Sequence, residues 1–436
     1  MARKRKGDKD PKDHGVAYSF RAFKHRNFSR FWLGALVSNI GGWLSNLAVP
    51  FVLYDITGSA VWVGLASVAQ FVPGVLLGPL GGALADRYDR RRVLLATQVG
   101  MAISALLLWG VWASGIHDPL VLLILVALIG SFGGVNMPSW QSFVSDLVPR
   151  ADLMSAVTLN SLQFNAARSL GPAIAGLLIA SLGPSWAFLL NGISFVFVIV
   201  SLLVIKLPKH VVSTEARVPV MRQFGTALGY VKRQKGILLA VLLSVVVGVL
   251  GNPMFSLTVV FASDVFGVDA LGLGLLNAAL GFGALLAAPV VAGWSKQLPP
   301  SAVVKWGLVL YGVSLMAFGT VDSYWLGVGL LVVVGACFLA VVSGINTAVQ
   351  LIVADHMRGR AIAVRHVFYT LSFPIGSMLQ GAIADVWGVQ VSVIIAGAAM
   401  IVCVLTVLAF RSKITFANLD DAHDEGGTEH TLGVAA

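Results

Sequence analysis

The stretch that decides the fold is residues 78–94, GPLGGALADRYDRRRVL. It starts as the end of an apolar segment, passes through small residues, and closes in a charged turn before Val93 resumes a hydrophobic run. Asp86 and four arginines share seven positions of that turn. The arginines are Arg87, Arg90, Arg91 and Arg92. Because segments long enough to cross a bilayer flank the turn on both sides, it must lie where a membrane meets water.

The composition of the whole chain agrees with this placement. Of the 436 residues, 57% are hydrophobic and 11% are charged, whereas soluble domains carry roughly 25% charged residues. The chain is therefore expected to be an integral membrane protein. Cys337 and Cys403 both fall in apolar runs, which predicts small core residues and neither a disulfide framework nor a metal site. We expect no cofactor.

Twelve stretches are long and apolar enough to be membrane spans, each needing about 20 residues. They lie at about 31–54, 61–84, 93–113, 120–144, 153–182, 186–205, 237–262, 271–294, 303–321, 325–349, 361–383 and 391–410. The predicted fold class is an all-α membrane protein with twelve transmembrane helices in two pseudo-symmetric six-helix bundles. The predicted domains are a basic N-terminus (1–30), a first bundle (31–205), a central loop (206–236), a second bundle (237–410) and a tail (411–436). The tail is polar and acidic, and is expected to be disordered.

The positive charges predict the orientation of the spans. All but one of the 30 Lys and Arg residues fall in the N-terminus, in the tail, or in and beside loops on a single side. The positive-inside rule places that side, with both termini and the central loop, in the cytoplasm. The basic N-terminus precedes no short apolar run with a cleavage site, so it is not a signal peptide. The net charge of +10 then reflects topology, and no nucleic-acid partner is expected.

The two halves of the chain repeat each other. The sequence VGL around Gly64 corresponds to LGL around Gly274, 210 positions later, and Pro79 corresponds to Pro289 at the same offset. Two parallel six-helix halves of this kind hold a substrate site near the bilayer midplane.

The charged turn resembles the signature loop between the second and third helices of the major facilitator superfamily of secondary transporters. One position departs from that pattern, because Asp89 stands where the motif has glycine. The resemblance implies a conformational latch that joins the two halves in the outward-open state. The latch residues it implies are Gly82, Asp86, Arg87, Arg90 and Arg91. Plain positive-inside anchoring would need the arginines but neither Asp86 nor the glycine.

Arg168 is the one basic residue that falls in the middle of a span, about 22 Å along the fifth helix from its cytoplasmic end. A charge at such a depth costs at least about 2.5–3.5 kcal/mol, and no carboxylate lies mid-span to pair with it. Arg168 either lines a central cavity and attracts an anionic or acceptor-rich substrate, or it bonds to helix carbonyls or to amides. The amides available for this are Asn39, Asn136 and Asn191.

Further polar residues in the spans are candidates for the same cavity. With Arg168 they are Asn39, Asn136, Asn160, Gln163 and Asn165. For each amide alone, an interhelical hydrogen bond worth about 0.6–2 kcal/mol is the simpler interpretation. Arg365, His366 and Tyr369 open the eleventh span, where the nearby membrane boundary favours solvation of His366.

The segment after Arg168 resembles the core of the Gly-Pro motif of superfamily antiporters. Gly171, Pro172 and Gly176 carry this resemblance, and Pro172 is expected to bend the helix. Together with the polar run before it, the segment resembles the branch that contains the enterobactin exporter and macrolide-efflux proteins. The branch implies proton antiport, for which Asp55 at the outer end of the first span is the best available site. No Walker motif occurs, so ATP cannot drive the chain unaided.

The resulting hypothesis is a secondary transporter of a bacterial inner membrane that exports a mid-sized amphiphilic molecule, siderophore-like or macrolide-like, by alternating access. We expect it to be a monomer whose partners are a small-molecule substrate, protons and the lipid bilayer. The alternatives are an importer or a metal-cation exporter of the same fold, or a non-transporting membrane scaffold or sensor. A lack of cavity carboxylates argues against a metal. No nucleophile, base and orienting group occur together, so an enzyme is not expected.

Overall fold

The structure is a computed structural model that describes residues 19–205, 220–294, 297–409 and 414–421, and this part of the chain is helical throughout its regular structure. The first half consists of six long helices: α1 (Arg26–Thr57), α2 (Ala60–Arg87), α3 (Arg90–Ala113), α4 (Pro119–Asp146), α5 (Leu153–Leu182) and α6 (Pro184–Val204). The second half repeats this arrangement: α7 (Lys235–Val265), α8 (Ala270–Trp294), α9 (Pro300–Gly319), α10 (Tyr324–Ile352), α11 (Arg358–Trp387) and α12 (Val389–Ala409). A shorter linker helix, Val220–Arg233, lies between the halves in sequence.

The twelve long helices confirm the predicted fold class. Among the described residues, 11 helices are long and apolar enough to cross a membrane. The other long helix, α5, has 30 residues and so the length to span a bilayer, but it carries Arg168 and the polar residues before it. The helix whose composition is least typical of a membrane span is therefore α5, which carries Arg168 and most of the other polar residues predicted to line the cavity.

Helix α7 is irregular in two places. Two π-helical segments, Val247–Gly251 and Phe261–Val265, interrupt its α-helical hydrogen bonding. Between them stands Pro253, which has no backbone N–H to donate. π-Helical turns are uncommon and occur frequently at functional sites.

Among the described residues, two helix pairs form the most extensive contacts between the halves: α2 packs against α11, and α5 packs against α8. The repeated glycines lie in these two contacts. A Cβ added to Gly64 would lie 2.8 Å from the carbonyl oxygen of Ser377, and one added to Gly274 would lie 2.8 Å from the Cα of Gly176. Both distances are too short for an added carbon, so the repeated glycines lie where helices of the two halves approach closely.

The two ends of the helix bundle differ in charge. We call the end with the turn after α2 and the linker helix the basic end. The opposite end, with the turns after α1, α3, α5, α7, α9 and α11, is the acidic end, because acids such as Asp118, Asp269 and Asp322 occur in its turns without any Lys or Arg.

Three predicted boundaries need correction. The N-terminal segment 1–30 is too long, since α1 begins at Arg26 after a short helical turn whose Ala22 N–H donates to Ser155 Oγ at 3.0 Å. The central loop contains the linker helix, whose Ala227 and Val231 are buried on the second half. These errors share a cause: short apolar segments gain order by docking onto helices that are distant in sequence.

The tail is the third correction. Residues 414–421 are ordered, not disordered as predicted, because Phe416 and Leu419 are buried on the second half. Asp420 secures the segment by accepting hydrogen bonds from the backbone and the hydroxyl of Ser301. The remaining predicted tail and residues 206–219 lie outside the described residues.

Candidate functional site

Arg168 bridges the two halves. Its Cζ lies 4.9 Å from the ring centroid of Phe255 on α7 and 5.1 Å from that of Phe338 on α10. These distances correspond to cation–π contacts, which gain strength when the partners are removed from water. The cation of the first half is thus inserted between two aromatic rings of the second half, whose centroids are 5.5 Å apart.

Two tyrosines complete what we call the central cluster, defined as Arg168, Phe255, Tyr311, Phe338 and Tyr369. Tyr311 on α9 is buried next to Phe338, with 6.4 Å between the ring centroids. Its Oη has no hydrogen-bond partner among the described residues. Tyr369 on α11 donates to Asn252 Oδ1 at 3.3 Å and accepts from Asn252 Nδ2 at 3.0 Å.

These contacts help to choose between the two interpretations of Arg168, a residue that lines a cavity or one that bonds to carbonyls or amides. The Nε of Arg168 is buried and has no hydrogen-bond partner in the described part of the chain. Asn136, one of the amides considered as a partner, accepts instead from Thr97 Oγ1 at 2.9 Å and from Gln98 Nε2 at 3.4 Å. In this conformation the side chain of Asn136 serves a contact between α3 and α4, and its place in the substrate cavity stays a prediction.

The other predicted amides are dispersed. Gln163 is buried, and neither polar atom of its amide has a partner among the described residues. Asn165 is exposed and donates to Ser161 O at 2.8 Å on its own helix. Asn160 and Asn39 are half-buried. Arg168 contacts aromatic rings of the second half, so sequence proximity on α5 did not predict these neighbours.

The Gly-Pro segment of α5 is a surface for close helix approach. Gly171 faces Trp43 of α1, where an added Cβ would lie 2.4 Å from the tryptophan Cβ. Gly176 faces α8, where its added Cβ would lie 2.7 Å from the Cα of Gly274. Helix α5 continues through Pro172 without a break. The segment brings α5 against helices of both halves.

At the acidic end, carboxylates of the second half bond to the first half. Asp385 of α11 accepts from Ser59 Oγ at 2.5 Å, from the Ala60 N–H at 2.6 Å and from the Val61 N–H at 3.3 Å. Because the first N–H groups of a helix have no partner within it, Asp385 caps α2 from the other half.

A second carboxylate of the second half also bonds to the first half at this end. Asp264 of α7 accepts a hydrogen bond from Tyr54 Oη of α1 at 2.5 Å. We call these contacts of Tyr54, Ser59, Asp264 and Asp385 the acidic-end seal.

At the basic end, two arginines of the signature turn form hydrogen bonds within the first half. Arg90 forms a salt bridge with Asp146 at the end of α4, with its Nη1 2.9 and 3.0 Å from the two carboxylate oxygens. Arg91 donates to the carbonyls of Leu202 and Leu203 of α6, at 2.5 and 2.9 Å.

Four further residues of the turn are a helix cap, two exposed charged residues and a glycine without close neighbours. Asp89 caps α3 by accepting from the Arg92 N–H at 3.2 Å, which explains why an acid stands where the signature motif has glycine. Asp86 and Arg87 are exposed. A Cβ added to Gly82 would meet no atom within 4 Å, so close packing in this conformation does not require this glycine.

Asp55, the predicted proton site, is exposed at the acidic end. It lines a pocket of about 50 Å³ whose other residues include Tyr54 and Asp269. The pocket therefore brings together carboxylates of both halves, because Asp55 lies in the last turn of α1 and Asp269 precedes α8.

The sequence interpretation missed the seal and the aromatic members of the cluster. Asp264 and Asp385 were recognisable as acids at span ends, but their partners belong to the other half of the chain. One available signal was the repeat, because Gly64 and Gly274 mark the helix pairs that close the acidic end. Nothing in the sequence pattern distinguishes Phe255, Tyr311 or Phe338 from other apolar residues.

Comparisons with known proteins identify relatives that match most of the chain. The chain is 22% identical to macrolide efflux protein A of Streptococcus pyogenes over 395 residues, covering 89% of this chain and 96% of the relative. It is 24% identical to the staphyloferrin A transporter of Staphylococcus aureus over 397 residues, covering 90% of this chain and 98% of the relative. It is also similar to the multidrug efflux pump Tap of Mycolicibacterium fortuitum, at 26% identity over 82% of this chain and 88% of the relative.

Solved structures show the same fold. A bacterial homologue of the human lysosomal transporter Spinster, in an inward-facing and occupied conformation, superposes with a TM-score of 0.71 at 14% identity, over 92% of this chain and 98% of that one. A bacterial homologue of the iron transporter ferroportin gives a TM-score of 0.64 at 17% identity, over 87% of this chain and 98% of that one.

The family comparison covers nearly the whole chain. Residues 17–426 match the family described as transmembrane secretion effector, MFS_3. The relatives are multi-pass membrane transporters of small molecules and not enzymes, which confirms the resemblance predicted from the signature turn. The chain belongs to the transmembrane secretion effector family of the major facilitator superfamily.

Proposed function

We propose that the chain is a secondary active exporter that works by alternating access in a bacterial inner membrane, as a monomer with its basic end in the cytoplasm. The observation that carries this proposal is the acidic-end seal. Asp385 and Asp264 join the two halves at one end, while Arg90 and Arg91 bond within the first half at the other. A conformation closed at the acidic end and released at the basic end is the inward-open state of such a cycle.

The latch completes the cycle. In the outward-open state the seal must separate, and Asp86, Arg87, Arg90 and Arg91 would then pair with the second half at the basic end. Both ends would use charged hydrogen bonds, which are stronger than neutral ones. Because each set forms in only one state, each stabilises that state selectively.

The proposed substrate is a mid-sized amphiphilic molecule. Arg168 offers a cation beside the faces of Phe255 and Phe338, a combination suited to a ligand with both acidic or acceptor groups and an apolar body. The names of the relatives, which include a macrolide efflux protein and a staphyloferrin transporter, are consistent with molecules of this kind. Gln163, Asn160 and Asn39 are the further polar residues proposed to line the path.

Protons are the proposed coupling ion, with Asp55 as the proposed site. Asp55 and Asp269 line one pocket from opposite halves, so binding of a proton there would reduce the repulsion between two like charges as the pocket closes. Replacing Asp55 by Asn should make efflux less dependent on the proton gradient. Asp322→Asn is the matched control, because Asp322 lies at the same end and bonds to Gln390 on the second half.

The test is efflux from cells that express the chain, measured with macrolides, siderophores and cationic dyes, with and without a protonophore. We expect protonophore-sensitive export of at least one amphiphile, and its loss in Arg168→Ala at equal protein level. Arg360→Ala removes an exposed charge from the basic end of α11 and should leave export intact. Accumulation instead of export would contradict the proposal and favour an importer.

A further inference from the structure

A second arginine lies beside the central cluster without a carboxylate partner among its hydrogen bonds. Arg365 of α11 donates from Nη2 to Asn346 Oδ1 at 3.1 Å, and its Nη1 lies 3.5 Å from Ser244 Oγ. Its Nε is buried and has no partner in the described part of the chain. It points into the second half between α7 and α10.

Tyr369 connects the two arginines. It stands one helical turn beyond Arg365 on α11 and bonds to Asn252. Both guanidinium groups lie near enough to its hydroxyl to interact electrostatically. Their contacts on α10, Phe338 for Arg168 and Asn346 for Arg365, are eight residues apart, which corresponds to about 12 Å along the helix axis.

The described helices that carry the two arginines and their contacts offer no protein anion beside them to balance these charges. The helices α5, α9 and α10 contain no Asp or Glu, and the only acids of α7 and α11 are Asp264 and Asp385 of the acidic-end seal. Two cations in a region of low dielectric constant without carboxylates are costly unless a counter-charge arrives. The aromatic faces of Phe255 and Phe338 offset only part of that cost.

We propose that Arg168 and Arg365 bind two anionic groups of one substrate, so that the exported molecule carries at least two acidic groups. Its acidic groups are separated by up to about 12 Å along the transport path, and its apolar body lies against Phe255 and Phe338. Arg365 is the contact nearer the basic end and Arg168 the deeper one. This inference rests on the proposed function, because it names the substrate class of the same site.

The test is calorimetric binding to the purified full-length protein. The probes are α,ω-dicarboxylates whose lengths bracket the spacing of the arginines, compared with ω-hydroxy monocarboxylates of equal chain length. We expect the best dicarboxylate to bind about tenfold or more tightly than its hydroxy counterpart, since one additional charge-assisted contact is worth roughly 1.5–3 kcal/mol.

The variants separate a two-point site from a general effect of charge. Arg168→Gln and Arg365→Gln should each abolish the preference for the dicarboxylate while leaving the weaker monocarboxylate-type binding. Arg168→Lys and Arg365→Lys should keep a reduced preference. Arg360→Gln, which removes a charge from the same helix outside the cluster, should change nothing.

Equal affinities for both probe classes in the unmodified protein, or a preference that survives Arg365→Gln, would overturn the inference. Because binding is measured without transport, the exporter proposal and the two-arginine proposal can be contradicted independently. Intact dicarboxylate binding with no efflux of any compound would contradict only the exporter. Efflux without any preference for two acidic groups, together with equal binding of both probes, would contradict only the two-arginine site.

Discussion

The two ends of the molecule use the same kinds of side chain in different ways. At the acidic end, Asp385 and Asp264 of the second half bond to the first half. At the basic end, the hydrogen bonds of Arg90 and Arg91 are to acceptors of the first half. The difference shows how a two-bundle transporter can select a conformation. Bonds within a half stabilise both states equally, whereas bonds between halves stabilise one state and so set the balance between them.

A single distance measurement can test this comparison. Spin labels at Ile116 and Ser323, exposed positions in acidic-end turns of opposite halves, would report opening of that end. Replacing Cys337 and Cys403 first would leave only the introduced cysteines, as the chain has two. Each prediction below uses this distance, and the expected effects decrease from the first to the last.

The largest effect should come from side chains added at the helix crossings. Gly64→Val and Gly274→Val each place carbon within about 2.8 Å of atoms of the other half, and overpacking of this kind costs about 1–3 kcal/mol. We expect the acidic end to open in most molecules and export to fall by about tenfold or more. Gly78→Val and Gly293→Val, on the same helices but with no atom within 4 Å of the added Cβ, should keep the original distance. An unchanged distance in the Gly64 and Gly274 variants would show that the crossings do not control closure.

Removing the cap between the halves should have the next largest effect. Asp385→Ala deletes the acceptor for the first N–H groups of α2, a loss of about 0.5–2 kcal/mol that falls only on the closed acidic end. The open population should therefore rise by about twofold to thirtyfold.

Asp118→Ala is the matched control for Asp385→Ala. Asp118 caps α4, accepting from the Leu120 N–H at 2.8 Å within the first half. Its loss should lower thermal stability without changing the distance between the labels. If both variants shifted the distance equally, the distinction between bonds within and between halves would fail.

Tyr54→Phe tests a single hydrogen bond of the seal. It removes the donor to Asp264 Oδ2 and keeps the ring, so the closed state should lose about 0.5–1.5 kcal/mol and the labels should show a smaller opening than in Asp385→Ala. Tyr324→Phe is the control, because that hydroxyl donates to Gly272 O at 3.0 Å within the second half. A distance shift in the control but not in Tyr54→Phe would rule out a role for the Asp264 contact.

Breaking the Arg90–Asp146 pair of the signature turn should have the smallest effect on the distance between the labels. The Arg90–Asp146 pair is partly exposed and lies within one half, so breaking it should cost about 0.2–1 kcal/mol of stability and leave the acidic end closed. A double-mutant cycle of Arg90→Ala and Asp146→Ala, followed by thermal unfolding, would measure this coupling. Arg92→Ala, at an exposed position of the same turn, is the reference. A large opening of the acidic end in Arg90→Ala would mean that the pair already stabilises the inward-open state.

The sequence alone determined the class of protein, the number of spans and the family. It did so because the bilayer requires about 20 apolar residues per helix, and because the signature turn carries its charges at fixed spacing. The repeated glycines, Gly64 and Gly274, even marked the helix pairs that join the halves. Arg168 could be identified as a candidate site residue for a similar reason, since a charge in the middle of a span costs free energy and needs a partner.

Only the tertiary structure decided what that partner is and at which end Asp264 and Asp385 bond to the first half. Phe255 and Phe338 are far from Arg168 in sequence and resemble any other core residue, so their contact depends on how helices of opposite halves are rotated. Asp385 likewise became a cap of α2 only when residues more than 300 positions apart met. Helix periodicity fixes the faces of each span, but packing between helices decides which faces meet. The charged residues of the signature turn and of the acidic-end seal could therefore be identified from the sequence, but the residues that they bond to could not.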